Sequence, residues 1–134
     1  MKKINSFIAI IMALLFLASC EKDEGKLPNI AFKTGTGYVS SDITLSRDTT
    51  VVIGINASKS EDKDVLKTFD GSRIYDGGSS TSFTSEVLSG SQGDSYSKDV
   101  TITTRNQAGT EKYTFTVVNK DGLKNAVTLT VTVP

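Results

Sequence analysis

The sequence predicts an all-β domain, an antiparallel β-sandwich of about seven strands, and three observations carry that reading. Apolar and polar residues alternate with a period of two over several runs, most clearly where Val51, Ile53, Ile55 and Ala57 interleave with Val52, Gly54 and Asn56. Turn-forming clusters separate those runs at roughly 8–12-residue spacing, the interval expected of short sandwich strands. No stretch sustains a helical spacing bounded by caps. A small barrel is the competing architecture, but its interior needs apolar residues on every strand, and the middle of this chain is poor in them.

The first segment, residues 1–19, is chemically unlike the rest. Lys2 and Lys3 open it, an apolar run over 7–17 follows, and Ala18 and Ser19 close it. This is the order of a secretory signal peptide. Its apolar run has 11 residues, against the roughly 20 needed to cross a bilayer. The remaining 115 residues carry 13 basic and 15 acidic groups, a net charge of −2, with only 36 hydrophobic side chains. Residues 20–28 read as a solvated tether because Glu21, Lys22, Asp23 and Glu24 leave nothing to bury. The domain is expected over 29–134.

Within it, Ile43 and Leu45 mark a short strand, and residues 50–57 a half-buried one. Residues 60–68 read as a charged loop or a single helical turn. Residues 66–75 and 82–88 are weaker strand candidates. Val100 and Ile102 mark a strand over 99–104, and Tyr113, Phe115 and Val117 one over 111–118. Val127, Leu129, Val131 and Val133 alternate with Thr128, Thr130 and Thr132 in the final strand, 125–133. Between the last two lies Asn119-Lys120-Asp121-Gly122, whose Asp-Gly supplies the positive φ that a tight connection requires.

Two resemblances add to this. Leu17-Ala18-Ser19-Cys20 resembles the lipobox of bacterial lipoproteins, which implies that Cys20 is the lipid attachment site and the mature N-terminus. Cys20 is the only cysteine, so the chain cannot form an internal disulfide. Lys22-Asp23-Glu24 resembles the signal that routes lipoproteins of the Bacteroidota to the outer face of the outer membrane, implying a lipid-anchored, surface-exposed protein. Residues 109–122 with the strand after them resemble the closing hairpin of Ig-like and PKD-like domains. Residues 32–38 and 52–57 resemble the start of uncharacterised Ig-like lipoproteins of Bacteroidota. The implied fold is an immunoglobulin-like sandwich, and that family brings no catalytic residues with it. By the same resemblance Tyr113 takes the place of a tyrosine corner, its hydroxyl bonding to the backbone near the preceding turn.

Composition narrows the chemistry. The chain has no histidine, so imidazole general bases, Ser-His or Cys-His pairs and imidazole-built zinc sites are excluded. Fifteen basic and fifteen acidic groups provide no electrostatic reason to expect nucleic acid. Glu61, Asp62 and Asp64 share one loop and Asp121 lies in another. Asp62, Asp64 and Asp121 are the calcium candidates, although the spacing completes no calcium loop and Lys59, Lys63 and Lys67 are interleaved. Asp48-Thr49-Thr50 resembles the O-glycosylation acceptor of Bacteroidota, with Thr49 as the acceptor. Asn56-Ala57-Ser58 fits the N-glycosylation pattern, but reads as the end of a strand. Tyr38, Tyr75, Phe83 and Tyr96 are the rings from which an exposed sugar-stacking platform could be built. No cofactor and no catalysis are expected. The expected partners are a membrane, through the lipid on Cys20, and a protein or a glycan.

Overall fold

The computed structural model describes residues 25–134. The expected signal peptide, residues 1–19, and Cys20 lie outside the described residues. Eight strands follow in order: β1 Asn29–Phe32, β2 Ile43–Thr44, β3 Thr50–Ser58, β4 Leu66–Tyr75, β5 Ser80–Val87, β6 Ser95–Thr103, β7 Gly109–Asn119 and β8 Lys124–Val133. A 3-10 turn, Gly90–Gly93, joins β5 to β6. They form a three-stranded sheet, β1-β3-β6, and a five-stranded sheet, β2-β8-β7-β4-β5. This is the two-sheet β-sandwich that the alternation predicts. The strand beyond the expected seven is β1, and residues 60–68 contain no helix.

The eight strands pair antiparallel except the short β2, which lies parallel to β8 through Ile43↔Val131 and Thr44↔Thr132. Strand register sorts the loops into two ends. Ser58 faces both Asn29 and Ser95, and Leu66 faces Asn119. Loops 59–65, 88–94 and 120–123 therefore share the end at which the chain enters. Loops 45–49, 76–79 and 104–108 occupy the opposite, far end.

The inward positions of both sheets close over one core. Ile53, Ile55 and Ala57 face Tyr113, Phe115 and Val117, with Phe69, Leu129, Val131 and Val133 beside them, all buried. Phe115 is the aromatic hub. It stacks on Phe69 at 6.1 Å and takes Phe32 and Phe83 edge-on at 6.3 and 6.1 Å. Gly71 lies opposite Phe115 in the register, and a Cβ there would stand 3.2 Å from that ring and 2.6 Å from Thr84 Cγ2. The β4–β5 register skips Phe83 beside this glycine, so Phe83 is the extra residue of a bulge and reaches Tyr113 and Phe115.

Residues 25–28, expected to belong to a free tether, are instead bound. Asn119 Nδ2 donates to the Lys26 carbonyl at 3.2 Å, Ser60 Oγ to that of Leu27, and Asn125 Nδ2 to that of Pro28 at 3.0 Å. Three side chains thus hold the entering strap, and Pro28 is buried under it. An alternation rule cannot detect such contacts, because they satisfy main-chain carbonyls.

Phe115→Ala removes the ring that three others touch and is expected to cost about 3–5 kcal/mol, measured as the loss of unfolding free energy in denaturant titration.

Candidate functional site

The far end is organised by a buried carboxylate. Glu111 follows the inward alternation of β7 one step before Tyr113 and is fully buried. Its Oε1 accepts the Arg105 backbone N–H at 2.8 Å and Arg105 Nε at 3.2 Å. Its Oε2 accepts the Tyr113 hydroxyl at 2.6 Å. The same guanidinium donates through Nη1 and Nη2 to Asp76 at 2.9 and 3.2 Å, and lies 4.1 Å from the centre of the Tyr75 ring. Asp76 and Gly77 both have positive φ, 53° and 71°, the pattern of a type I′ hairpin turn between β4 and β5. Asp76 also accepts the Thr110 N–H at 2.8 Å. Gly109 makes room for this contact: a Cβ there would fall 2.0 Å from Asp76 Oδ1.

Electrostatics follow from the contacts. The Arg105 guanidinium, assisted by the Thr110 N–H, holds the Asp76 carboxyl below its ordinary value. Burial, and then the adjoining Glu111 carboxylate, push the Tyr113 hydroxyl up, so it stays a proton donor at neutral pH. The tyrosine corner is therefore corrected. Tyr113 reaches a side-chain carboxylate, a stronger acceptor than a main-chain carbonyl. Its link to the preceding loop runs through Glu111 to the Arg105 N–H.

A second carboxylate closes the seam between the sheets. Glu86 on β5 accepts Tyr96 Oη and Lys98 Nζ, both on β6. Lys98, followed by Tyr96, lowers the Glu86 carboxyl, and burial raises the Tyr96 hydroxyl. A third cluster covers the outer face of the smaller sheet. Lys33 Nζ stands 2.6 Å from Asp99 Oδ1, and Tyr38 Oη donates to Asp99 Oδ2 at 3.2 Å. Lys33 holds the Asp99 carboxyl low. Tyr38 lies on Gly54, where a Cβ would be 2.7 Å from its ring.

These contacts account for the four candidate platform rings. Tyr96 is in the core, Phe83 packs edge-on against Tyr113 and Phe115, Tyr75 lies under Arg105 and Arg73, and Tyr38 covers Gly54. They do not share a face. The expected stacking platform is not formed, because each ring is packed against other side chains of the domain.

The calcium candidates do not converge either. Asp64 is buried, with Oδ2 accepting Asn119 Nδ2 at 2.7 Å and Oδ1 accepting the Val65 N–H at 2.8 Å. Asn119 Oδ1 in turn accepts the N–H groups of Asp121 and Leu123 at 3.1 and 2.9 Å. Asp64 thus ties two loops together by hydrogen bonds, while Asp62 and Asp121 are exposed. Among the described residues no group of three or more acidic or cysteine side chains is assembled as a metal ion would require. Thr49 is half-buried beside the turn at Asp48, whose φ is 55°. Its N–H donates to Thr104 Oγ1 at 2.8 Å, and its carbonyl accepts the Thr104 N–H at 2.9 Å.

One surface was not anticipated from the sequence. β5 pairs only with β4, so its other edge has no strand partner among the described residues. From Ser80 to Ser85 that edge carries no charge and no proline. Edges are normally blunted by such residues or by brevity. The other free edges show these devices: β1 has four residues and follows Pro28, β2 has two, and β6 carries Lys98 and Asp99.

With the fold defined as a two-sheet β-sandwich, its likeness to solved proteins is confined to shape. A superoxide reductase (neelaredoxin) from Ignicoccus hospitalis superposes with a TM-score of 0.54 at 6% identity, over 81% of this chain and 80% of that one. The CARDB domain of a Pyrococcus furiosus protein, solved in complex with di-metal ions, superposes with a TM-score of 0.50 at 16% identity, over 87% of this chain and 100% of that one. Identities this low show the fold alone. No protein-family model matches the chain, and no curated protein matches it in sequence.

Tyr113→Phe leaves one oxygen of a buried carboxylate without its donor and is expected to cost about 1–3 kcal/mol, read as a lower melting temperature. Asp76, Glu86 and Asp99 are all lowered by cationic partners. The stability they contribute is present above their unfolded values and disappears as pH falls through the folded ones. A melting series should be level from neutral pH to about pH 5 and fall below the ordinary carboxylate range. Replacing Asp76, Glu86 and Asp99 by their amides should flatten that fall.

Proposed function

We propose that this chain is a lipid-anchored lipoprotein of a Bacteroidota-type cell envelope that acts as a non-catalytic binding module, with a protein as its partner. The observation that carries the reading is the free edge of β5, which has no charge and no proline from Ser80 to Ser85. Its row of main-chain donors and acceptors is the surface that an extended segment of another protein adds to, the main-chain bonds supplying affinity and side-chain pockets supplying specificity. The engagement of these rings with other side chains of the domain favours a protein over a glycan. The lipobox at 17–20 supports lipid attachment at Cys20, and Lys22-Asp23-Glu24 supports display on the outer face of the outer membrane. On this reading Thr49, at the far end, is the glycan acceptor.

Mass spectrometry of the membrane fraction should find Cys20 as an acylated N-terminus, and an unmodified Cys20 would contradict the anchor. Photo-crosslinking residues placed at Thr81 and Ser85 in intact cells should give defined protein adducts, while one at Thr116, on the outer face of β7, should not. Equal labelling from all three sites, or none from β5, would contradict strand addition.

A further inference from the structure

Two of the three large apolar side chains most exposed on the domain lie at the end where the chain enters. Leu27, in the strap, is 54% exposed, and Val87, the last residue of β5, is 82% exposed. The third, Ile43, is 37% exposed and sits on β2 toward the other end. Around the entering end are five exposed lysines, Lys26, Lys63, Lys67, Lys120 and Lys124, and three acids, Glu61, Asp62 and Asp121. Lys59 and Asp94 pair there at 2.8 Å, and Asp64 is buried. All three arginines of the domain lie elsewhere: Arg47 and Arg105 in far-end loops, and Arg73 near the far end of β4. The entering end therefore combines isolated apolar side chains with long amine-tipped ones. That is the composition of a surface resting in the headgroup layer, where lysine stems lie along apolar material and the amines reach phosphate.

The chain length agrees. Gly25 is five residues from Cys20, and five extended residues span at most about 17 Å. The strap bonds of Asn119, Ser60 and Asn125 fix where that span begins. We infer that the entering end docks directly on the phospholipid surface, with Leu27 and Val87 as its interfacial contacts and Lys26, Lys67 and Lys124 at the level of the phosphates. This rests on the proposed lipid at Cys20. Net charge does not drive the contact, because six lysines meet five acids at this end and Glu21, Asp23 and Glu24 against Lys22 more than offset that excess. The far end, with its turn at Asp76 and Gly77, is then the end directed away from the lipid.

The test uses the full lipidated chain in phosphatidylethanolamine–phosphatidylcholine vesicles. Leu27→Cys, Val87→Cys and, as the far-end reference, Ala108→Cys each introduce a single free thiol for an environment-sensitive fluorophore once Cys20 is acylated. Labels at 27 and 87 should shift to the blue and be quenched by brominated lipid, with little change in high salt, while the label at 108 stays unquenched. With Cys20 shown by mass spectrometry to be acylated, labels at 27 and 87 as unquenched as that at 108 would overturn the docking and leave the anchor intact. An unacylated Cys20 would overturn both.

Discussion

The far half of the sandwich depends on one buried negative charge. Glu111 is removed from water in the core face of β7, and an isolated carboxylate there would be far too costly to bury. It is tolerated because three donors from two residues converge on it, the Arg105 N–H, Arg105 Nε and the Tyr113 hydroxyl. Each donor constrains more than itself. Arg105 carries the contact on to Asp76 and so to the β4–β5 turn, and Asp76 returns it to the first residues of β7 through Thr110. The loop before β7, the turn after β4 and the aromatic layer of Tyr75 and Tyr113 are thereby held by one group. Removing one partner of such a pair typically costs about 3–5 kcal/mol, because the remaining charge stays buried.

The entering end is built differently. Its buried acid, Asp64, is met by an amide and a main-chain N–H rather than by a cation. Asn119 holds the strap on one side and the β7–β8 turn on the other. Polar residues thus divide the labour in a domain with few apolar ones: an arginine–carboxylate network fixes one end, amides fix the other, and Glu86 joins the sheets between them. Among the free edges, that of β5 carries neither charge nor proline from Ser80 to Ser85.

Much of the fold was legible because β3, β7 and β8 each bury one face and therefore alternate. β1 was not, since its four residues hold only Ile30 and Phe32 as large apolar groups. The first half of β6 was not, since Tyr96 is the lone core residue before Val100. Glu111 could have been found: continuing the period of Tyr113, Phe115 and Val117 backward by one step places it inward, although its charge suggests solvent. No local pattern signals Arg105, whose partners are Glu111 six residues later and Asp76 twenty-nine residues earlier. The free edge of β5 follows from sheet order, which is a property of topology rather than of any segment.

The claim that one carboxylate couples these elements is tested most directly by a double-mutant cycle between Arg105→Ala and Tyr113→Phe, read from denaturant unfolding. Both side chains donate to Glu111 and never to each other, so a coupling of about 1 kcal/mol or more is the predicted result. Strictly additive losses would show that the two contacts act independently, and that Glu111 is not the common element.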